Sequence, residues 1–324
     1  MAIDGFDPKW KDFPDFIIGI TKEIWEDRAI AALHQYYGPS MPVRSAASLV
    51  IGNQNVIAAT MATLAEFPDR TLLGEDVIWC GTPQTALLSS HRLLSTATHS
   101  RDGIYGKATG KKLVYRIMAD CAAKDNAIFD EWLVRDQGAI VRQMGWNPKA
   151  FAADLIAREG GPEACVKPFT PAMDVDGGYR GRGNDHPAGQ RFHHILSAIM
   201  GADMRVVGQE YDRAVQLELP GGVTGHSYGA ADQFWMGLRA AFPSAKFEIH
   251  HTIGRDDPEF SPRAALRWSL TGKHEGWGTF GTPTGADVHV MGISHAEFGP
   301  WGLRREYVLY DEVAIWKQIL LKTG

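Results

Sequence analysis

The chain is poor in features that would commit it to several large classes of protein. Cysteine is scarce: Cys80, Cys121 and Cys165 form an odd, scattered set of three without metal-ligand spacing. That excludes a disulfide framework and leads us to expect reduced thiols in a cytoplasmic protein. An excess of either charge is also missing. A net charge of -5 with both signs interspersed provides no basic footprint for nucleic acid. No apolar run is long enough to cross a membrane. The opening MAIDGFDPKW lacks the basic start and apolar stretch of a signal peptide, so no leader is expected. The histidine doublets at 193–194 and 250–251 have no added carboxylate at ligand spacing, so neither a metal nor a cofactor is expected. GGYRGRGND, at 177–185, follows no strand and has the wrong spacing for a phosphate loop. DVDGG, at 174–178, lacks the later ligands of a calcium loop, and both stretches read as turns.

What the chain does have is ten tryptophans, more than a core alone usually requires, and an internal repeat. The tryptophans hint at an aromatic-lined cavity. A shift of 175 positions carries Tyr36 to Tyr211, Arg92 to Arg267, His99 to His274 and Gly110 to Gly285. The same shift carries Glu131 to Glu306, Trp132 to Tyr307, Asp136 to Asp311 and Gln143 to Gln318; only residues 38–57 align loosely. A constant offset over so long a stretch is a tandem duplication. The expected organisation is a first domain over 1–158, a linker over 159–186 rich in Gly and Pro, and a second domain over 187–324. Each unit begins with a helix, over 14–36 in the first, where Ile17, Ile20, Ile24 and Ala31 recur at helical spacing. A second helix follows, stopped by Pro68 in one unit and Pro243 in the other. Consecutive strands come next, which predicts an α+β fold with a curved antiparallel sheet packed on helices.

The strand-to-helix junctions IFDEWLVRDQGAIV and LRREYVLYDEVAIW hold the first candidates. Simple alternation puts Ile128, Asp130, Trp132, Val134 and Asp136 on one face, and Leu303, Arg305, Tyr307, Leu309 and Asp311 on its equivalent. A carboxylate beside such a surface is partly desolvated, which raises its pKa toward the range of a general base. Aspartate is equally a favoured helix N-cap, so both readings stand on the residues alone. His99 and His274 lie at equivalent strand ends, as solvated residues or as site residues. His295 lies on the strand before Asp311, with Asp120 as its counterpart in the first unit. The length of the FGPWG loop decides whether His295 and Asp311 share a face.

The order helix-FP, strand, R-x-x-x-T-x-x-H, TG, then I-x-x-E-W-x-x-x-D-x-G-x-x-x-Q-x-G resembles the SnoaL-like polyketide cyclases of the nuclear transport factor two-like superfamily. The stretches GNQNVIAATMATLAEFPD, RLLSTATH, KATGKK and IFDEWLVRDQGAIVRQMG carry it in the first unit. In the second they are AAFPS, RWSLTGKHEGWGTFGTPTG and LRREYVLYDEVAIWKQI. The resemblance implies two tandem cone-shaped α+β barrels, each around an apolar pocket. It also implies a pseudo-dimer within one chain, since members are commonly homodimers. The catalytic aspartate of the family falls on Asp136 and Asp311, and its pocket histidine falls near His295. THSRDG and GKHEGW depart from the family's usual GTH-x-G. Metal-independent acid–base chemistry is expected, an aldol-type ring closure or related proton abstraction on a small apolar carbonyl compound. Trp132, Tyr307, His99, His274 and Asp120 are the candidate substrate contacts. The alternatives are an isomerase, dehydratase or hydrolase on the same fold, or a non-catalytic binder of small ligands. The expected partners are an apolar or aromatic small molecule and further copies of the chain, without nucleic acid or membrane.

Overall fold

The computed structural model describes residues 3–324. The first half contains helices α1 (Phe13–Thr21) and α2 (Leu33–Tyr36), strands β1 (Pro42–Ser45) and β2 (Ser48–Ile51), and helix α3 (Asn53–Glu66). Strands β3 (Thr71–Thr82), β4 (Ala86–Thr98), β5 (Lys112–Lys124) and β6 (Ala127–Arg135) follow, then α4 (Gln137–Gln143) and α5 (Pro148–Arg158). The second half repeats the plan with α6 (Pro187–Met200), α7 (Arg205–Glu210), β7 (Tyr211–Leu219), β8 (Val223–His226) and α8 (Ser227–Ala241). It continues with β9 (Lys246–Arg255), β10 (Arg263–Lys273), β11 (Asp287–Gly299), β12 (Gly302–Tyr310) and α9 (Glu312–Thr323). The bounds of β5 and β6 fall on those of β11 and β12 after the 175-residue shift.

Each half is one six-stranded sheet, ordered β2-β1-β6-β5-β4-β3 and β8-β7-β12-β11-β10-β9. The pairs are antiparallel except β1–β6 and β7–β12, which are parallel, so the sheets are mixed rather than wholly antiparallel. The single helix expected over 14–36 is broken. Its α-helical part ends at Thr21, and Arg28 takes a left-handed φ of 66° that no helix continues through. Among the described residues no helix is long and apolar enough to cross a membrane.

One face of each sheet covers its own helices, and the other faces the opposite half. Met118, Val134, Met291, Ile293, Tyr307 and Leu309 form one shared apolar cluster, and Ile78, Leu88, Ala122, Ile253 and Ala265 form another. The halves therefore pack sheet against sheet, as two subunits of a dimer would.

A bulge decides which residues meet which face. Ala122 pairs with Asp130 but Ala123 pairs with Ile128, so Phe129 is an extra residue. The second half repeats this: Glu297 pairs with Arg305 and Phe298 with Leu303, leaving Arg304 extra. One added residue reverses the alternation. Glu131, Leu133 and Arg135 consequently join Ile128 on the inner face, while Asp130, Trp132, Val134 and Asp136 face the other half.

Candidate active site

In the first half the inner face and helices α1 and α3 enclose a cavity of about 440 Å³. Its walls are mainly apolar, among them Ile17, Trp25, Val56, Leu93, Ile117 and Leu133. The helix α3 positions Val56, Thr60, Thr63 and Glu66 become Ala231, Trp235, Leu238 and Ala241 in α8, all buried in the core of the second half. Leu93 likewise becomes Trp268, whose ring occupies the space a side chain at Gly292 would need. Two indoles thus fill in the second half what shorter side chains leave open in the first. Trp132 and Tyr307 do not line the 440 Å³ cavity, because the bulge turns both rings to the interface, where Tyr307 borders a separate cleft of about 370 Å³ together with Asp136. In the interface Arg267 stacks on Trp132 at 3.4 Å and Arg92 on Tyr307 at 3.5 Å, each arginine crossing from the other half.

Glu131 stands on the cavity wall, 6% exposed. Burial pushes its carboxyl up to about 7, against hydrogen bonding from the Tyr37 hydroxyl and the Cys121 thiol. Its Oε2 has no hydrogen-bond partner. Burial also raises Glu306 to about 7, and its Oε1 is likewise unpartnered, but that residue does not border the cavity. It is enclosed in the core, and its Oε2 accepts from the Tyr211 hydroxyl at 2.8 Å and the Trp235 indole at 3.4 Å. His91, also on the wall, is held neutral by burial, its pKa lowered to about 4, and lies 3.1 Å from Ser89 Oγ. Arg70 and Arg135 complete the wall with Tyr105 and Gln137, which are hydrogen-bonded to each other.

The two aspartates differ. Asp136 caps α4 by accepting from Ala139 N at 2.9 Å, and it also accepts from Gly221 N at 2.9 Å and Gly222 N at 3.0 Å across the interface. It ties the halves together and does not border the 440 Å³ cavity. Asp311 caps α9 through Ala314 N at 3.0 Å, yet it reaches the first half's cavity. Burial raises it to about 7, with Asp136 adding to the effect and Arg135 opposing it. One cap is saturated and the other opens onto the cavity.

The histidines and Asp120 lie elsewhere. His295 is opposite Tyr307 and so shares a face with Asp311. The loop between Gly299 and Gly302 has two residues, and the bulge at Arg304 supplies the third that this requires. Burial and then Arg92 hold His295 neutral, well below its usual pKa. Arg92 donates to its Nδ1 at 3.1 Å, so Nε2 carries the proton and donates to Ser90 Oγ at 2.9 Å. Asp120 occupies the equivalent place, 3.6 Å from Arg267, also in the interface. His99 locks a strand-end loop to α3: Thr109 N donates to its Nδ1 at 3.3 Å, and its Nε2 donates to Glu66 at 3.1 Å. His274 repeats the loop contact with Thr284 at 3.0 Å, without the carboxylate. None of these four borders the cavity, and neither histidine at a strand end is solvated. Of the ionisable residues that border it, Asp311 was a candidate from the sequence, whereas Glu131, Arg70, Arg135 and His91 escape a reading of the sequence for site residues. The matched pair Glu131–Glu306, the same carboxylate at the same place in the last strand of both units, is the available signal. Among the described residues no cluster of His, Cys, Asp and Glu is placed to hold a metal ion.

No family model and no curated protein matches the sequence. Solved structures do match. IdmH, a candidate polyketide cyclase from Streptomyces antibioticus, is 18% identical, covering 41% of this chain and 98% of its own at a TM-score of 0.36. A candidate SnoaL-like polyketide cyclase from Jannaschia sp. CCS1 is 12% identical over 42% of this chain and 96% of its own, at a TM-score of 0.36. AclR, a candidate hydroxylase from Streptomyces galilaeus, is 16% identical over 40% of this chain and 92% of its own, at a TM-score of 0.35. These are similarities of fold at low identity, each spanning less than half of this chain.

Proposed function

We propose that the first half is an acid–base enzyme acting on a small, largely apolar carbonyl compound, with Glu131 as the proton-transferring group. The observation that carries this is a carboxyl raised to about 7 on an apolar cavity wall, with one oxygen free of partners. Glu131 Oε2 removes a proton from carbon next to a carbonyl, and the C–H electron pair moves onto that carbonyl oxygen. The enolate carbon then bonds to a second carbonyl carbon of the same molecule, whose oxygen takes the proton back from Glu131. Apolar walls exclude water, and conjugation in the compound spreads the enolate charge. Aldol-type ring closure follows when a second carbonyl lies within reach; with one carbonyl the same residues support isomerisation. Asp311 and Arg135 both border the cavity away from Glu131, Arg135 being four residues along β6 from it, about 13 Å.

The test is proton abstraction itself. Enolisable aryl ketones and diketones in D₂O should exchange their α-hydrogens faster with the protein, followed by NMR. The base must be ionised, so the rate should climb as pH rises through about 7 and then level off. Glu131→Gln should cut the exchange by about 100-fold or more with little change in thermal stability. Unchanged exchange in that variant would remove Glu131 from the mechanism.

A further inference from the structure

Most buried arginines of this molecule are paired. Arg44 meets Asp130 and Asp174, Arg92 meets Glu75, Arg263 meets Asp76 and Asp257, and Arg267 meets Asp120. Arg70 and Arg135 differ. Among the described residues neither has a carboxylate within 4.0 Å, although both line the cavity. Arg70 Nε makes only a long 3.4 Å contact with Ser95 Oγ, and Arg135 Nε is buried with no partner. The two guanidiniums are close enough to repel one another, with the Tyr115 phenol between their fields. The nearest cavity carboxylates do not relieve them. Glu66 is fully engaged by His99, Ile104 N and Tyr105 N. Asp311 feels Arg135 only at a distance, and can match one of the two charges when ionised.

Each guanidinium has a phenol beside it, Tyr115 at buried Arg70 and Tyr105 at half-buried Arg135, but neither has a carboxylate as counter-charge. Cations withdrawn from water without a counter-charge are costly, and two near one another more so. In the second half the equivalents of Arg70, Tyr115 and Arg135 are Ala245, Val290 and Tyr310, so the charged end belongs to the half that keeps the cavity. We propose that Arg70 and Arg135 form a carboxylate-binding site, so that the cavity takes an apolar acid, its carboxylate between the two guanidiniums and its body along the wall toward Glu131. A guanidinium presents donors in a planar fork that suits a carboxylate, and the charge left over after Asp311 suits a single negative charge. This rests on the cavity being the ligand site of the proposed enzyme, and it names the class of compound bound there.

Binding of benzoate, 2-naphthoate and anthracene-2-carboxylate, each against its methyl ester, tests the proposal by calorimetry and thermal shift on the whole chain. At least one acid should bind about tenfold or more tightly than its ester. Arg70→Met and Arg135→Met should each bring that acid down toward the affinity of its ester. In wild-type spectra of arginine Nε–H groups, that acid and not its ester should move two resonances, which gives a readout should either variant fail to fold. The proposal is overturned if no acid is preferred over its ester, or if the preference survives both substitutions. Glu131→Gln should keep the preference. If it does while retaining normal hydrogen exchange, the acid–base reading fails and the carboxylate site stands. Loss of exchange in Glu131→Gln without any acid preference would overturn the carboxylate site and leave the acid–base chemistry standing.

Discussion

At the scale of single residues, the two matched aspartates show how one motif comes to serve two ends. Asp136 accepts three backbone N–H groups through both oxygens, two of them from the other half. Asparagine is as good an N-cap as aspartate, but it has one oxygen to offer. In Asp136→Asn an amide NH₂ would face Gly222 N–H or Ala139 N–H, donor against donor. We expect a loss of about 1–3 kcal/mol, read from urea denaturation. Asp311→Asn keeps its cap to Ala314 and loses no cross-interface bond, so it should cost well under 1 kcal/mol. Equal losses in the two variants would contradict the division between tie and cavity wall.

At the scale of elements, α3 and α8 share a place in the fold but not a task. Helix α8 buries Ala231, Trp235, Leu238 and Ala241, while α3 offers Val56, Thr60, Thr63 and Glu66 at the same positions. Thr60→Trp should fill the cavity and abolish binding of the preferred acid, with the fold retained by circular dichroism. Trp235→Thr should open a void and lower stability by about 3–5 kcal/mol. A fully stable Trp235→Thr would mean that the indole is not core. The duplication and the order of helices and strands were legible in the sequence, because a constant offset and a period of two survive without coordinates; the pairing of the two halves as a pseudo-dimer came only from the family resemblance. The cavity wall was not. The extra residues Phe129 and Arg304 have no signature that distinguishes them from ordinary strand residues, yet each reverses a face. Reading across Phe129 placed Trp132 and Asp136 inward and hid Glu131 and Arg135. The abundance of tryptophan was visible too, but in the second half Trp235 and Trp268 fill the interior instead of lining it.

At the scale of the molecule, the interface is built from crossing pairs. Arg92 reaches His295 and Tyr307, Arg267 reaches Asp120 and Trp132, and Arg116 and Arg142 bond Glu218 and Glu312 at 2.9 and 2.5 Å. With two apolar clusters between them, neither half has a sheet face fit for water on its own. Calorimetry should therefore show one cooperative unfolding transition; two resolved transitions would mean that the halves melt independently. Joining the two folds in one polypeptide also changes what mutation can do. In a dimer of identical chains, a tryptophan that closes one interior closes both, and function is lost at a stroke. Here each fold has its own codons, so Trp235 and Trp268 turn one interior into solid support while the other stays open. The closed fold still lends Asp311 to its neighbour.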